Sequence, residues 1–240
     1  MTGEVERIKL AGQIDISCVQ AFHTLKEIDE MIEIAKKYGF AAVFTLPAFS
    51  AHVAERLRDC KEIHTGGVVS FPGGGDTIEQ KKRQAKELWE TGCEEVDMVM
   101  NLTALKSQDF SYIKEELTAV REAIPTAILK VIIEAPHLTE AEIRQAVELC
   151  IEARADYAKT STGWYPEYPS TVEQVRIMSE AAKGRIRIKA AGGVRTLATI
   201  REMQRVGCSR FGHGKMDVTI RQPLFHKTLK SYVLITYYAE

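Results

Sequence analysis

The sequence predicts a single α/β domain spanning residues 1–240, folded as a closed (β/α)8 TIM barrel with its site at the C-terminal ends of the strands. Three observations predict it. Eight short β-rich runs alternate with longer amphipathic runs, centred near residues 15, 43, 67, 97, 130, 157, 187 and 210. Successive centres lie about 20 to 33 residues apart, the length of one βα unit. The first β-to-α turn, after Cys18, carries no glycine fingerprint, which sets the chain apart from the open dinucleotide-binding sheet that is the main competitor.

The elements follow in order. A helical piece precedes the first strand, 13–18. Thr24 is an N-cap with Glu27 at the capping-box position, and Leu25, Ile28, Ile32 and Ala35 keep helical spacing up to the stop at Gly39. The second strand, 41–45, ends at Leu46-Pro47, and a helix covers about 50–58. Strand 64–70 stops at Phe71-Pro72-Gly73-Gly74-Gly75, after which Asp76 is the expected cap of a helix running to about 90. Strand 95–100 and a helix over about 109–123 come next. The fifth strand, 127–133, is apolar except for Lys130, and Thr139 with Glu142 forms a second capping box. The sixth strand ends at Lys159. Ser170 or Thr171 opens a helix to about 182, and strand 185–189 follows. Thr196 opens a helix to about 206, and strand 209–212 leads to a last helix.

Composition excludes several classes. The chain is 45% hydrophobic and 27% charged, as in an ordinary globular protein. A formal net charge of -1 favours neither nucleic acid nor an anionic membrane. No apolar run reaches the roughly 18–20 residues that span a bilayer, and the N-terminal Met-Thr-Gly-Glu-Val-Glu-Arg has no signal core. The five cysteines, Cys18, Cys60, Cys93, Cys150 and Cys208, form no CxxC, which fits reduced thiols in a cytoplasm. The six histidines show no paired ligand spacing, so no metal is expected, and no cofactor.

Two strand ends carry the chemistry. Asp156-Tyr157-Ala158-Lys159-Thr160-Ser161-Thr162-Gly163 reads as a strand that presents an ammonium and then turns tightly. Ile186-Arg187-Ile188-Lys189-Ala190-Ala191-Gly192-Gly193 has the same form. Barrel chemistry sits at such ends. A lysine nucleophile must lose its proton, and burial with a neighbouring cation favours that. The pair therefore suggests a Schiff-base enzyme, Lys159 as the amine and Lys189 as its electrostatic partner. The plainer alternative is two rim lysines facing solvent. Asp97 stands in the apolar run Val96-Asp97-Met98-Val99-Met100, where a lone carboxylate is costly unless paired. It is either a proton carrier beside the lysines or a structural partner of Lys130. Asp15 is a similar charge in the first strand, weighed as a positioning group.

These residues resemble the deoxyribose-phosphate aldolase family. The resemblance rests on DYAKTSTG (156–163), IKAAGGVRT (188–196), EEVDMVMN (94–101), LKVIIE (129–134) and YGFAAV (38–43), and it covers nearly the whole chain. It implies a metal-independent class I aldolase on a (β/α)8 barrel that cleaves 2-deoxyribose 5-phosphate to acetaldehyde and glyceraldehyde 3-phosphate, with a small sugar or sugar phosphate and further copies of the chain as the expected partners. It implies Lys159 as the Schiff-base lysine, Lys189 as the group that tunes it, and Asp97 as a proton relay with water. Asp15 and Ser17 match the family's Asp-x-Thr contact, and Thr160, Gly163, Gly192 and Gly193 fall in its substrate-binding turns.

The sequence departs from the family at four places. Ile16-Ser17-Cys18-Val19 replaces a His-Thr-Leu-Leu type run, and Phe44-Thr45-Leu46-Pro47 replaces Cys-Val-Asn-Pro. Phe211-Gly212 is followed by His213-Gly214-Lys215 where the family has small residues and serines, and Trp164-Tyr165-Pro166-Glu167-Tyr168 is an aromatic loop. His213 and Lys215 are therefore candidates to replace the lost hydroxyls at a phosphate. The alternatives are an aldolase for a larger or unphosphorylated sugar, a barrel lyase or isomerase using Lys159 as a general base, and a non-catalytic sugar-phosphate-binding barrel.

Overall fold

The computed structural model describes residues 9–214. Eight parallel strands close in sequential order, β1 to β8, with β8 pairing back onto β1. They are β1 (Ile14–Cys18), β2 (Ala42–Thr45), β3 (His64–Val69), β4 (Glu95–Val99), β5 (Ile128–Ile132), β6 (Tyr157–Lys159), β7 (Arg187–Ala190) and β8 (Cys208–Gly214). Between them run α1 (Leu25–Tyr38), α2 (Ser50–Leu57), α3 (Ile78–Glu90), α4 (Leu102–Lys106), α5 (Phe110–Ala123), α6 (Glu140–Glu152), α7 (Val172–Ala182) and α8 (Leu197–Arg205). Residues 9–11 form a helical turn before β1, and the expected last helix lies outside the described residues.

The caps explain where the helices start. Thr24 and Thr139 close reciprocal capping boxes with Glu27 and Glu142, as their spacing predicts. Thr77, not Asp76, caps α3, because Thr77 pairs with Gln80 while the Asp76 carboxylate accepts a bond from Gln84. Thr171 rather than Ser170 caps α7, since the Ser170 hydroxyl is turned inward to Thr160 and the Ala191 carbonyl. The short α4 went unread: five residues are too few to show a period, and its signal is the Asn101 cap alone.

Two cores result from the strand alternation. Outward-facing Val43, Val96, Met98, Leu129, Val131 and Ile188 pack against Ile28, Ile32, Ile113, Leu117, Ile143 and Val147 of the helices. The apolar cluster inside the barrel is small, with Ala42, Phe44 and Val68 at its centre. Gly66 on β3 makes room for Phe44: a Cβ there would stand 2.4 Å from the Phe44 ring. Most of the remaining interior is charged, and that is the setting of the site.

Candidate active site

Six strands place charges on the inner face of the barrel. Asp15 (β1), Glu95 and Asp97 (β4), Lys130 (β5), Lys159 (β6), Lys189 (β7) and Arg210 (β8) are all buried. Their contacts form one network. Asp97 Oδ2 accepts from Lys159 Nζ and from Lys189 Nζ, each at 2.7 Å. Lys189 Nζ also lies 2.5 Å from Asp15 Oδ2. Lys130 Nζ bonds Asp15 Oδ2 at 3.0 Å, pairs with Glu95, and stands 3.3 Å from Asp97 Oδ1. Arg210 donates to Asp15 at 2.6 Å and to Glu95 at 2.8 Å. Below them His64 meets Glu95 at 2.8 Å, and that bond, against the effect of burial, raises the imidazole's affinity for its proton.

The network holds three carboxylates and four basic groups. Burial opposes ionisation of Asp97, but the ammoniums of Lys130, Lys159 and Lys189 outweigh it and hold the carboxyl well below its usual range. Asp15 is lowered in the same way, burial being overcome by Lys130, Lys189 and Arg210. Lys130 is buried too, but Asp15, Asp97 and Glu95 surround it and raise it. Lys189 goes the other way. Burial lowers it to about 8, and Asp15 and Asp97 only partly compensate. The neighbouring Lys130 and Lys159 ammoniums add a smaller push in the same direction. Phe44 covers this side, its ring centre 4.4 Å from Lys130 Nζ and 4.6 Å from Lys189 Nζ, an arrangement that favours cations over its face.

A cavity of about 160 Å³ opens over the network, lined by Asp15, Asp97, Lys159 and Lys189 at its floor. Its walls include the apolar side chains of Val19, Phe44, Val68 and Phe71 and the turn glycines Gly163, Gly192 and Gly193. The three glycines have φ of 72, 80 and 79°, the left-handed region that side chains disfavour. Gly192 also allows close approach, because a Cβ there would lie 2.4 Å from Ser161 Oγ.

The other sequence candidates fall as follows. Ser17 lines the cavity and donates to the His213 carbonyl at 3.1 Å. His213 borders the cavity, buried, with both ring nitrogens lacking a partner among the described residues; burial lowers it to about 4, so it is neutral at neutral pH. Thr160 does not line the cavity. Its hydroxyl is taken up between the Ala191 carbonyl and N–H at 3.1 and 3.0 Å, where it ties the end of β6 to that of β7. Lys215 lies outside the described residues.

Residues not singled out from the sequence also matter. Glu95 and Arg210 complete the charge network, and their signal was legible: Glu95 is two residues before Asp97 and shares its face. Glu134 follows β5 in a left-handed conformation, φ 50°. Its carboxylate accepts from the Thr162 N–H and, at 2.6 Å, from the Thr162 hydroxyl. Burial raises Glu134 above the usual carboxylate range, and the Thr162 bonds offset this only in part. Thr162, which lines the cavity, is thus held from behind. Among the described residues no three His, Cys, Asp or Glu side chains group as metal ligands, and no helix is long and apolar enough to cross a membrane.

The DeoC/LacD family aldolase model matches residues 7–213. The chain belongs to this aldolase family. Among its relatives, the deoxyribose-phosphate aldolase of Sinorhizobium medicae is 44% identical over 203 residues, covering 85% of this chain and 82% of that one. The deoxyribose-phosphate aldolase of Aquifex aeolicus is 39% identical over 205 residues, with 85% and 92% covered. The solved structure of QR15, an aldolase, superposes with a TM-score of 0.82 at 37% identity, covering 88% of this chain and 93% of that chain. The (β/α)8 architecture expected from the strand spacing is thus shared with aldolases of the family.

Proposed function

We propose that the chain cleaves, and in reverse forms, 2-deoxy-D-ribose 5-phosphate through a Schiff base on Lys159, giving acetaldehyde and D-glyceraldehyde 3-phosphate. The chain is an aldehyde-lyase by family. One observation carries the assignment of residues: Lys159 and Lys189 donate to the same oxygen of Asp97 at the floor of the cavity.

The mechanism follows from that bridge. An amine attacks a carbonyl only when neutral. Burial lowers Lys189 to about 8, which brings its neutral form within reach near neutral pH. Neutral Lys189 takes the proton of Lys159 across Asp97 Oδ2, and this leaves Lys159 free to attack the aldehyde carbon. The carbinolamine loses water, its hydroxyl leaving with a proton returned through Asp97, and an iminium results. A base removes the proton of the C3 hydroxyl, the C2–C3 bond breaks, and the electron pair passes into the iminium as an enamine. Protonation of the enamine carbon and addition of water release acetaldehyde. Asp15 and Lys130 keep the network charged and fixed while one proton moves within it. Lys189 here acts as a proton acceptor, a more direct part than the purely electrostatic one expected from the sequence.

The phosphate falls at the turns after β7 and β8, the usual anion corner of such barrels. The backbone of Gly163, Gly192 and Gly193 and the imidazole of His213 are the groups offered there, with Ser17 and Asp15 toward the sugar hydroxyls. The five described cysteines are free thiols, in keeping with a cytoplasmic setting. The test is borohydride reduction in the presence of 2-deoxyribose 5-phosphate followed by mass spectrometry. An adduct on Lys159, together with release of acetaldehyde in a coupled assay, is expected. No adduct on Lys159 would overturn the assignment.

A further inference from the structure

Buried polar atoms without partners are rare and call for an explanation. In the described residues they are His23 Nε2, Thr45 Oγ1, Ser50 Oγ, Asp97 Oδ1 and both ring nitrogens of His213. Most of them belong to residues that line one cavity: His23, Asp97 and His213. Asp97 Oδ1 has the Lys130 ammonium 3.3 Å away. The two histidines have no such compensation.

His23 is the more informative of the two. It lies in the loop between β1 and α1, and its Nδ1 accepts the backbone N–H of Gln20 at 3.2 Å. A backbone amide can only donate, so Nδ1 carries the lone pair and the ring proton of the neutral imidazole is on Nε2. That Nε2–H is buried with nothing to receive it. The loop is held in place: Gln20 fixes the ring, His23 N–H bonds the Gln20 carbonyl at 3.2 Å, and Phe22 meets the imidazole edge-on at 5.5 Å. A donor fixed in direction, shielded from water and lining the cavity is prepared for an acceptor that arrives with the ligand.

The location narrows the ligand group. β1 pairs with β8, Ile16 standing in register with His213. His23 follows β1, whose neighbours are β2 and β8, whereas Lys159 stands on β6, which is not a neighbour of β1, so the two line the cavity from different sides. The carbonyl that reacts is at Lys159. We infer that His23 is a specificity-determining residue for the proposed aldol reaction, its Nε2–H donating to an oxygen at the end of the substrate remote from the Schiff base. The inference rests on the proposed function. Such an oxygen belongs either to the terminal phosphate or to the C4 hydroxyl that both sugars carry.

The experiment compares the full-length wild-type chain with His23→Phe, which keeps a ring and removes the donor, and His23→Gln, which keeps an N–H donor on a chain of similar reach. Retro-aldol kcat/KM is measured with 2-deoxyribose 5-phosphate and with 2-deoxyribose. Each value is divided by the rate of borohydride trapping of acetaldehyde in the same variant, because acetaldehyde has no remote oxygen. For His23→Phe this ratio is expected to fall about ten-fold, through KM rather than kcat, as the loss of one hydrogen bond to the ligand implies, with partial recovery in His23→Gln. A fall with the phosphorylated sugar alone assigns the bond to phosphate, and a fall with both assigns it to hydroxyl. An unchanged ratio in His23→Phe overturns the inference, whether because neither rate moved or because both fell together. Absence of any acetaldehyde adduct in the wild-type chain would instead refute the Schiff-base reading itself.

Discussion

Lys159 and Lys189 stand side by side in register on β6 and β7, and their ammonium groups donate to the same carboxylate oxygen of Asp97. Two like charges on adjacent strands repel unless an anion lies between them. The shared oxygen provides that anion and gives the proton a short path from one amine to the other.

The first prediction concerns the nucleophile. Lys159→Leu removes the amine while leaving a side chain that suits the apolar part of the cavity wall. Retro-aldol turnover is expected to fall by roughly 10³-fold or more, as when the reacting group of a catalytic unit is deleted. Circular dichroism should remain that of a folded barrel. A coupled assay that finds this variant near wild-type rate would remove Lys159 from the mechanism.

The pH profile follows from Lys189. Its value is lowered to about 8, so below that pH the amine is protonated and cannot accept the proton of Lys159. The quantity kcat/KM should rise with pH and level off above about 8, losing activity on the acid side. In Lys189→Arg, whose side chain stays cationic, this limb should vanish and the rate drop about 10² to 10⁴-fold, the usual range for loss of a general base. A wild-type profile flat between pH 6 and 9 would count against the proton transfer.

Glu134 holds the turn that follows the nucleophile. With Glu134→Ala the Thr162 N–H loses its partner in a buried setting, at a cost of about 1–3 kcal/mol. Chemical denaturation should show that loss. KM should also increase, because Thr162 and Gly163 line the cavity. An unchanged denaturation midpoint would show the turn to be held by other contacts.

The β3–β2 contact inside the barrel is tight enough to predict. Gly66→Ala places a methyl 2.4–2.6 Å from the Phe44 ring, which must move. Overpacking of this kind costs about 1–3 kcal/mol. Phe44 lines the cavity beside Lys189, so the displaced ring should also lower kcat/KM. Pairing Gly66→Ala with Phe44→Leu should recover part of the lost stability, and failure to recover any would argue that the strain lies elsewhere.

Lys81 and Glu116 form a second buried ion pair, outside the lumen, that bonds the Val99 carbonyl and the Asn101 N–H just beyond Asp97. Lys81→Met leaves Glu116 buried and unpaired, a change that costs about 3–5 kcal/mol. Thermal unfolding should show it, and Lys81→Met/Glu116→Leu should restore much of the stability. A double variant no better than the single one would contradict the unpaired-charge account.

Much of this protein was written in the sequence because it depends on local periods and caps. The regular spacing of eight βα units, the threonine capping boxes at Thr24 and Thr139, and the lysines at the ends of β6 and β7 are short-range patterns that survive in one dimension. Lys159, Lys189 and Asp97 could be named as a group because a charge in an apolar strand has few tolerable surroundings. Only the closed barrel decided the rest. Barrel closure brings Arg210 and Asp15 together across 195 positions, turns the Thr160 hydroxyl away from the cavity to the Ala191 backbone, and leaves the His23 donor lining that cavity without a partner. It also lowered Lys189 to about 8 by burying it. That shift depends on how many charges crowd the amine and how little water reaches it, and both are properties of three-dimensional distance that no spacing along the chain contains.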